Sequence, residues 1–194
     1  MRRVLSFAVL AVLAVAAALP FVARAQQPDT AALLASQAEA MRTFAMLDGL
    51  WRGPATVLQR DGSRLSFVQT ERIGPFLGGS IKVIEGRGYN DDGSVRFNAF
   101  GIVSFDPATR AYTMHSHALG HVGDFAFVAT GDGYRWEIPI GLATLRYTAT
   151  VKDGELYEIG ERIVTGSAPQ KVFEMRLKRI GDTDWPAAGA VSPK

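Results

Sequence analysis

Residues 143–152 read ATLRYTATVK, and this stretch decides the fold. Apolar or aromatic residues alternate with threonine, arginine and lysine along its whole length. Successive side chains of a β-strand point to opposite faces, so the pattern predicts a strand with one buried and one solvated face. Residues 171–178 repeat the pattern, with Phe173, Met175 and Leu177 on the apolar face.

Turn-forming pairs such as Asp61-Gly62, Asp92-Gly93 and Asp153-Gly154 divide residues 49–180 into further stretches of this kind. We predict ten strands, at about 51–60, 64–73, 79–90, 95–106, 110–118, 121–130, 133–140, 143–152, 155–164 and 171–180. Parallel strands need crossovers of about a dozen residues, and these links are shorter, so the strands run antiparallel. Closure removes the two edges of such a sheet. The predicted fold is all-β: an antiparallel up-and-down barrel of about ten strands with one N-terminal helix.

The predicted barrel is wide enough for a ligand. Side chains just fill barrels of about eight strands, so a wider barrel is expected to hold a cavity. Aromatic and polar side chains distributed over the strands then supply apolar walls and orienting groups. The predicted ligand-binding residues are Tyr112, His115, His117, Trp136, Tyr147 and Arg162. A barrel fully packed by its own side chains remains the alternative.

The first 25 residues differ from the rest of the chain. Arg2 and Arg3 precede an apolar run over 4–19, and Ala23-Arg24-Ala25 offers the small residues that signal peptidase requires. The run is shorter than the roughly 20 apolar residues of a membrane span, so no retained anchor is expected. We predict a signal peptide over 1–25, cleavage after Ala25, and a periplasmic or secreted protein. With no cysteine, the chain can form no disulfide.

The charge balance argues against a nucleic-acid partner. The whole chain has a net charge of +2 and a pI near 9.0. Three basic residues and no acidic residue lie in the first 25, and beyond them acidic residues outnumber basic ones by one. Nucleic-acid binding needs a basic groove, so none is expected. The charge balance does not bear on the oligomeric state.

The remaining chain divides into three parts. The first, residues 26–48, is predicted to form a helix capped near Asp29, with a largely apolar stripe of Leu33, Gln37, Met41, Phe44 and Leu47. Residues 49–180 form the barrel. Residues 181–194 are rich in glycine, alanine and proline and are predicted to be a flexible tail, on which Trp185 could dock against the barrel.

The three histidines form the one cluster of metal-ligating residues. His115 and His117 share a face of the fifth predicted strand, a spacing that can place two imidazoles on one metal ion. His121 follows the next turn, and Asp124 could add a carboxylate. A divalent metal on His115, His117 and His121 is therefore one hypothesis. A polar role near the barrel lumen or rim is the other.

Four segments in order carry a resemblance to known proteins: residues 47–53 (LDGLWRG), 76–79 (FLGG), 105–107 (FDP, followed by Tyr112) and 172–176 (VFEMR, followed by Arg179). The G-x-W of the first segment resembles the entry signature of the calycin superfamily of lipocalins, fatty-acid-binding proteins and nitrobindin-like barrels. The four together resemble bacterial lipocalin-like domains of unknown function.

The resemblance implies roles for several residues. In such barrels the tryptophan closes the floor, and an arginine of the last strand lies over its indole. Gly49, Trp51 and Arg179 would form that structural floor here. Nitrobindin-like barrels hold haem through a late histidine, and no histidine follows His121, so haem is disfavoured and no cofactor is expected.

The function expected from the sequence is binding rather than catalysis. We expect an exported lipocalin-like protein that holds a small, mainly apolar ligand in its lumen. No nucleophile or phosphate-binding motif is present. Two alternatives stay open: a barrel enzyme or metal-binding protein that uses the histidine cluster, and a structural envelope protein without a small ligand.

Overall fold

A computed structural model describes residues 29–186 of the chain. The predicted signal peptide and the last part of the predicted tail lie outside these residues. The described chain forms ten strands: β1 Gly49–Leu58, β2 Arg64–Phe76, β3 Ile81–Tyr89, β4 Val95–Asp106, β5 Ala111–Ala118, β6 His121–Ala129, β7 Gly133–Ile140, β8 Ala143–Lys152, β9 Glu155–Val164 and β10 Gln170–Gly181.

The strands close into one antiparallel barrel. Each strand pairs with its neighbour in the sequence, and β1 also pairs with β10, for example Ala55 with Met175. The predicted fold class is confirmed, and β4, β7, β8 and β9 have the predicted bounds. We call the end at which β1 begins the floor, and the opposite end, with the β1–β2 and β9–β10 hairpins, the mouth.

The helix before β1 closes the floor. It comprises α1, Thr30–Met41, and a 3-10 segment, Arg42–Leu47. Asp29 caps it by accepting a hydrogen bond from the Ala31 N–H at 3.0 Å. Met41, Phe44 and Leu47 of the predicted stripe are buried. The helix therefore covers the lower core with the face that the sequence predicts.

Cross-strand pairing shows which side chains face the lumen, because paired residues of adjacent strands share a face. Met114 pairs with Val103 on one side and Phe125 on the other, and all three belong to the core or pack against it. The same register assigns every second residue of each strand to the lumen. The fully buried side chains include Trp51, Phe44, Leu47, Ile73, Leu156, Leu177 and Val103.

The described part of the C-terminal segment lies against the outer wall. The Trp185 ring contacts Phe76 and Phe100 edge-on or tilted, with centroids 5.5 and 6.1 Å apart, and the Arg72 guanidinium lies 5.5 Å from its centroid. Trp185 of the predicted tail thus docks on the barrel, as the sequence suggests, and residues 187–194 lie outside the described part of the chain. No helix within residues 29–186 is long and apolar enough to cross a bilayer.

Candidate functional site

The mouth half of the lumen is lined by a row of aromatic rings. Phe125, Trp136, Tyr147 and Phe173 follow one another around β6, β7, β8 and β10, with consecutive centroids 5.5, 4.6 and 6.1 Å apart. Trp136 and Tyr147 are stacked, with 14° between their planes. Although they face inward, all four keep accessible surface, whereas the core residues nearer the floor are sealed. The mouth half thus offers apolar surface to an occupant.

Two carboxyl groups lie in this lumen beside the aromatic rings. Glu158 of β9 is 6% exposed and accepts a hydrogen bond from the Tyr134 hydroxyl at 2.5 Å. Glu71 of β2 accepts one from the Gln69 side-chain amide at 2.7 Å. Each carboxyl therefore has one partner, and each retains acceptor capacity for another donor.

Two glycines leave space for lumen side chains: Gly86 of β3 for the Glu71 carboxyl and Gly160 of β9 for the Tyr147 ring. A methyl group on Gly86 would lie 2.8 Å from Glu71 Oε1, and one on Gly160 would lie 2.8 Å from the Tyr147 ring. Both distances are shorter than contacts between real side chains. The absence of a side chain at Gly86 therefore leaves the space that the Glu71 carboxyl occupies.

Burial shifts the acid–base behaviour of the lumen. It raises the pKa of Glu71 to about 8, with the nearby charge of Glu158 adding to the effect and the Gln69 hydrogen bond opposing it. It raises the pKa of Glu158 to about 7 against the opposing Tyr134 hydrogen bond. It also raises the pKa of Tyr147 to about 12. Near neutral pH the two acids can therefore hold or release a proton inside the barrel.

The floor is a structural plug. The Trp51 indole N–H donates to the Leu47 carbonyl at 2.8 Å, and Lys82, nearly fully buried, pairs with Asp48. Burial lowers the Lys82 pKa, and the Asp48 contact opposes that shift. This ion pair is not among the features predicted from the sequence.

The resemblance implies an arginine over the Trp51 indole; Arg179 is the register partner of Trp51 in the β1–β10 pairing, but its guanidinium does not lie over the ring. In residues 29–186 the guanidinium–ring contacts are those of Arg72 with Trp185 and Arg176 with Tyr157. Arg179 instead donates to the Asp48 carbonyl, at 3.2 Å from Nη2, and pairs with Asp182. Gly49 is required beneath it, since a methyl group there would lie 2.9 Å from Arg179 Nε. Arg179 therefore links β10 to the residue before β1 by a hydrogen bond and does not stack on the indole.

The predicted ligand-binding residues separate into groups. Trp136 and Tyr147 line the lumen, and Arg162 shares their face as the exposed register partner of Leu145 near the mouth. Tyr112 faces inward at the floor, where its hydroxyl donates to the Ala40 carbonyl at 3.0 Å. It therefore holds the helix in place and lies away from the mouth.

His115 and His117 do not line the lumen. They alternate with the inward-facing Met114, and their register partners across β6 are Asp124 and Val122 on the outer face. His121 pairs with Ala118 on the opposite, lumen-side face at the mouth. The face alternation of β5 and β6 thus divides the predicted cluster of three into an outer pair and a separate residue.

The two lumen acids are not among the ligand-binding residues predicted from the sequence. A signal was available in the alternation of each strand. Glu158 lies between Leu156 and Gly160 on the apolar face of β9, and Gln69 and Glu71 lie between Phe67 and Ile73 on that of β2. A polar residue in an apolar face predicts a buried functional group more directly than a surface cluster does.

Comparisons with known proteins support the fold alone. No protein-family model matches the chain, and no curated protein matches it. Among solved structures, the crystal structure of Rv2717c from M. tuberculosis is similar, with a TM-score of 0.55 and 14% sequence identity. The match covers 72% of this chain and 96% of that one. The chain is therefore a closed ten-stranded antiparallel barrel with a solved structural neighbour.

Proposed function

We propose that the barrel binds a small, mainly apolar ligand that enters through the mouth and lies against the aromatic row. The observation that carries this proposal is the half-buried state of four inward-facing aromatic residues, with the buried Glu158 and the partly buried Glu71 on their floor side. Burial of apolar surface contributes roughly 25 cal/mol per Å², and ring stacking on Trp136 or Tyr147 adds to it.

The two acids favour a ligand that carries a hydrogen-bond donor. Glu71 and Glu158 have acceptor capacity beyond Gln69 and Tyr134, and an acceptor covered by an apolar molecule loses its hydration without compensation. A ligand with a hydroxyl or amine near one end restores that hydrogen bond. A carboxylate at the same place is repelled whenever either acid is ionised. The proposed ligand is therefore an aromatic or aliphatic alcohol or amine.

Export is part of the proposal. The predicted signal peptide over 1–25 would deliver the barrel to the periplasm or the medium. Binding outside the cytoplasm would suit a carrier or scavenger of small apolar molecules. Two alternatives remain: a packed barrel without a ligand, and an enzyme in which the lumen acids exchange protons with the bound molecule.

Thermal unfolding with matched probes tests the proposal. The probes are naphthalene, 2-naphthol, 1-naphthylmethylamine and 2-naphthoate, which share a ring system and differ in the polar group. A ligand that binds only the folded state raises Tm. We expect 2-naphthol and the amine to raise Tm most and 2-naphthoate least at pH 8.

A pair of variants localises the effect. Tyr147→Ala removes part of the aromatic row, and Thr148→Ala changes the neighbouring residue, whose side chain lies on the outer face of the same strand. The probe-induced rise in Tm, measured against each variant's own ligand-free Tm, should shrink in Tyr147→Ala and persist in Thr148→Ala. Equal shifts in both variants, or no shift with any probe, would contradict lumen binding.

A further inference from the structure

The outer wall of the barrel carries a histidine pair that the proposed ligand site does not use. His115 and His117 are two residues apart on the same face of β5, and Asp124 is the register partner of His115 on β6. The side chains of His115 and Asp124 are 44% and 69% exposed. Dissolved ions therefore reach these groups without entering the lumen.

The spacing of the two imidazoles suits one metal ion. His115 Nε2 and His117 Nε2 are 3.2 Å apart. Metal–nitrogen bonds of about 2.0–2.1 Å at a tetrahedral angle place two ligand nitrogens roughly 3.3 Å apart. Both rings can thus coordinate one ion with little movement of the strand.

Asp124 prepares His115 for coordination. Its Oδ1 lies 2.7 Å from His115 Nδ1, so the N–H of that nitrogen donates to the carboxylate and Nε2 keeps a free lone pair. Histidines that bind metals commonly donate their other ring N–H to a carboxylate, which fixes the tautomer and strengthens the ligand. Without metal, an N–H at His117 Nε2 can donate a hydrogen bond to the lone pair of His115 Nε2. A metal ion would take the place of that proton.

The pair lies beside an open recess of about 450 Å³, which His117 lines together with Glu85, Phe100 and Val122. Within residues 29–186, no group of three or more histidine, aspartate or glutamate side chains is placed to share one ion. The protein would therefore supply two nitrogens, and the recess leaves the other positions to water or a small ligand. Imidazole pairs of this kind suit Zn²⁺, Cu²⁺ or Ni²⁺ rather than Mg²⁺ or Ca²⁺.

The geometry points to a two-histidine site for a divalent ion of the zinc and copper class, formed by His115 and His117 and oriented by Asp124. This inference is independent of lumen binding. It retains the metal hypothesis of the sequence analysis and removes His121 from it. Open coordination positions are typical of metals that exchange bound molecules, so the site would present a Lewis acid to the recess.

Zinc titration calorimetry on untagged protein tests the inference. We expect one Zn²⁺ per chain, with affinity lowered at least tenfold in His115→Ala and in His117→Ala. Asp124→Asn should weaken binding roughly tenfold, because it removes the carboxylate that orients His115. His121→Ala is the matched control, since His121 lines the same recess as His117 but lies on the lumen-side face of its strand, and the affinity of this variant should stay within about twofold of the original.

A spectroscopic reading separates coordination from a structural role. Electron paramagnetic resonance with one equivalent of Cu²⁺ should show two coupled nitrogens in the unchanged protein and one in His117→Ala. Unchanged zinc affinity in His117→Ala would overturn the assignment. So would an equal loss in His121→Ala. Circular dichroism of each variant confirms that the barrel is folded.

Discussion

At the scale of single residues, the decisive feature is that two glutamates occupy positions of the apolar faces of their strands. Glu158 is buried, and Glu71 lies against Gly86 in the lumen. Burying an acid costs stability unless it stays protonated or finds hydrogen-bond donors. The chain gives each one a donor and lets its pKa rise, so these residues can respond to pH and to an occupant.

The raised pKa values predict that stability falls as pH rises. Between about pH 4.5 and 8 the folded protein holds protons on Glu71 and Glu158 that the unfolded chain releases. This contribution is therefore present in full below pH 4.5 and is lost as pH passes through 7 and 8. Each pKa unit corresponds to about 1.4 kcal/mol, so we expect the free energy of unfolding, measured in urea, to fall by several kcal/mol across this range from these two groups.

Substitution by glutamine isolates the effect. Glu71→Gln and Glu158→Gln should each flatten the dependence of stability on pH. Glu161→Gln replaces an outward-facing glutamate of the same β9 strand and should keep the original slope. If all three slopes coincide, the buried acids are not the source of the pH dependence.

A second residue-scale prediction concerns Gly86. In Gly86→Ala the new methyl group would lie 2.8 Å from Glu71 Oε1 and 3.2 Å from Gln69 Nε2, so the buried carboxyl must move. We expect a loss of about 1–3 kcal/mol in the free energy of unfolding. Gly101→Ala, on the next strand and also inward-facing, is the comparison, because the atom nearest to its methyl group would be the flexible Met114 sulfur, at 3.4 Å. A greater loss for Gly101→Ala would contradict this reading.

At the scale of elements, alternation and turn chemistry predicted the strands, and burial of Met41, Phe44 and Leu47 followed from their helical spacing. The same information did not place the histidines. Both faces of β5 carry polar side chains, and the choice between them depends on Met114 packing against Val103 and Phe125 across two neighbouring strands. This packing depends on how the neighbouring strands pair in the folded barrel, and the sequence of β5 alone does not specify it. The Asp48–Lys82 pair was likewise invisible, because it joins residues 34 positions apart.

The helix that closes the floor is the element whose loss should cost most. Phe44 is fully buried and makes edge-on contacts with Tyr112 and Phe127, at 5.0 and 5.2 Å. Phe44→Ala should lower the free energy of unfolding by about 3–5 kcal/mol. Leu34→Ala on the exposed side of the same helix should change it by less than about 0.5 kcal/mol. Similar urea midpoints for the two variants would mean that the helix does not close the core.

At the scale of the whole molecule, closure divides the interior into a sealed floor and an accessible mouth. The floor combines Trp51, the helix and the Asp48–Lys82 pair into a plug. The mouth half retains aromatic surface, the two acids lie on its floor side, and the described C-terminal segment packs on the outside. The barrel thus has one sealed end, and the other end is where we propose that the ligand binds.

Native mass spectrometry of the protein recovered from the cells that make it tests this account most directly. We predict a chain shortened by 25 residues that carries one small, mainly apolar alcohol or amine, released as a single species on collisional activation. The ligand should be reduced or absent in Tyr147→Ala and retained in Thr148→Ala. A protein that is consistently empty across preparations would contradict the claim that the lumen holds a ligand.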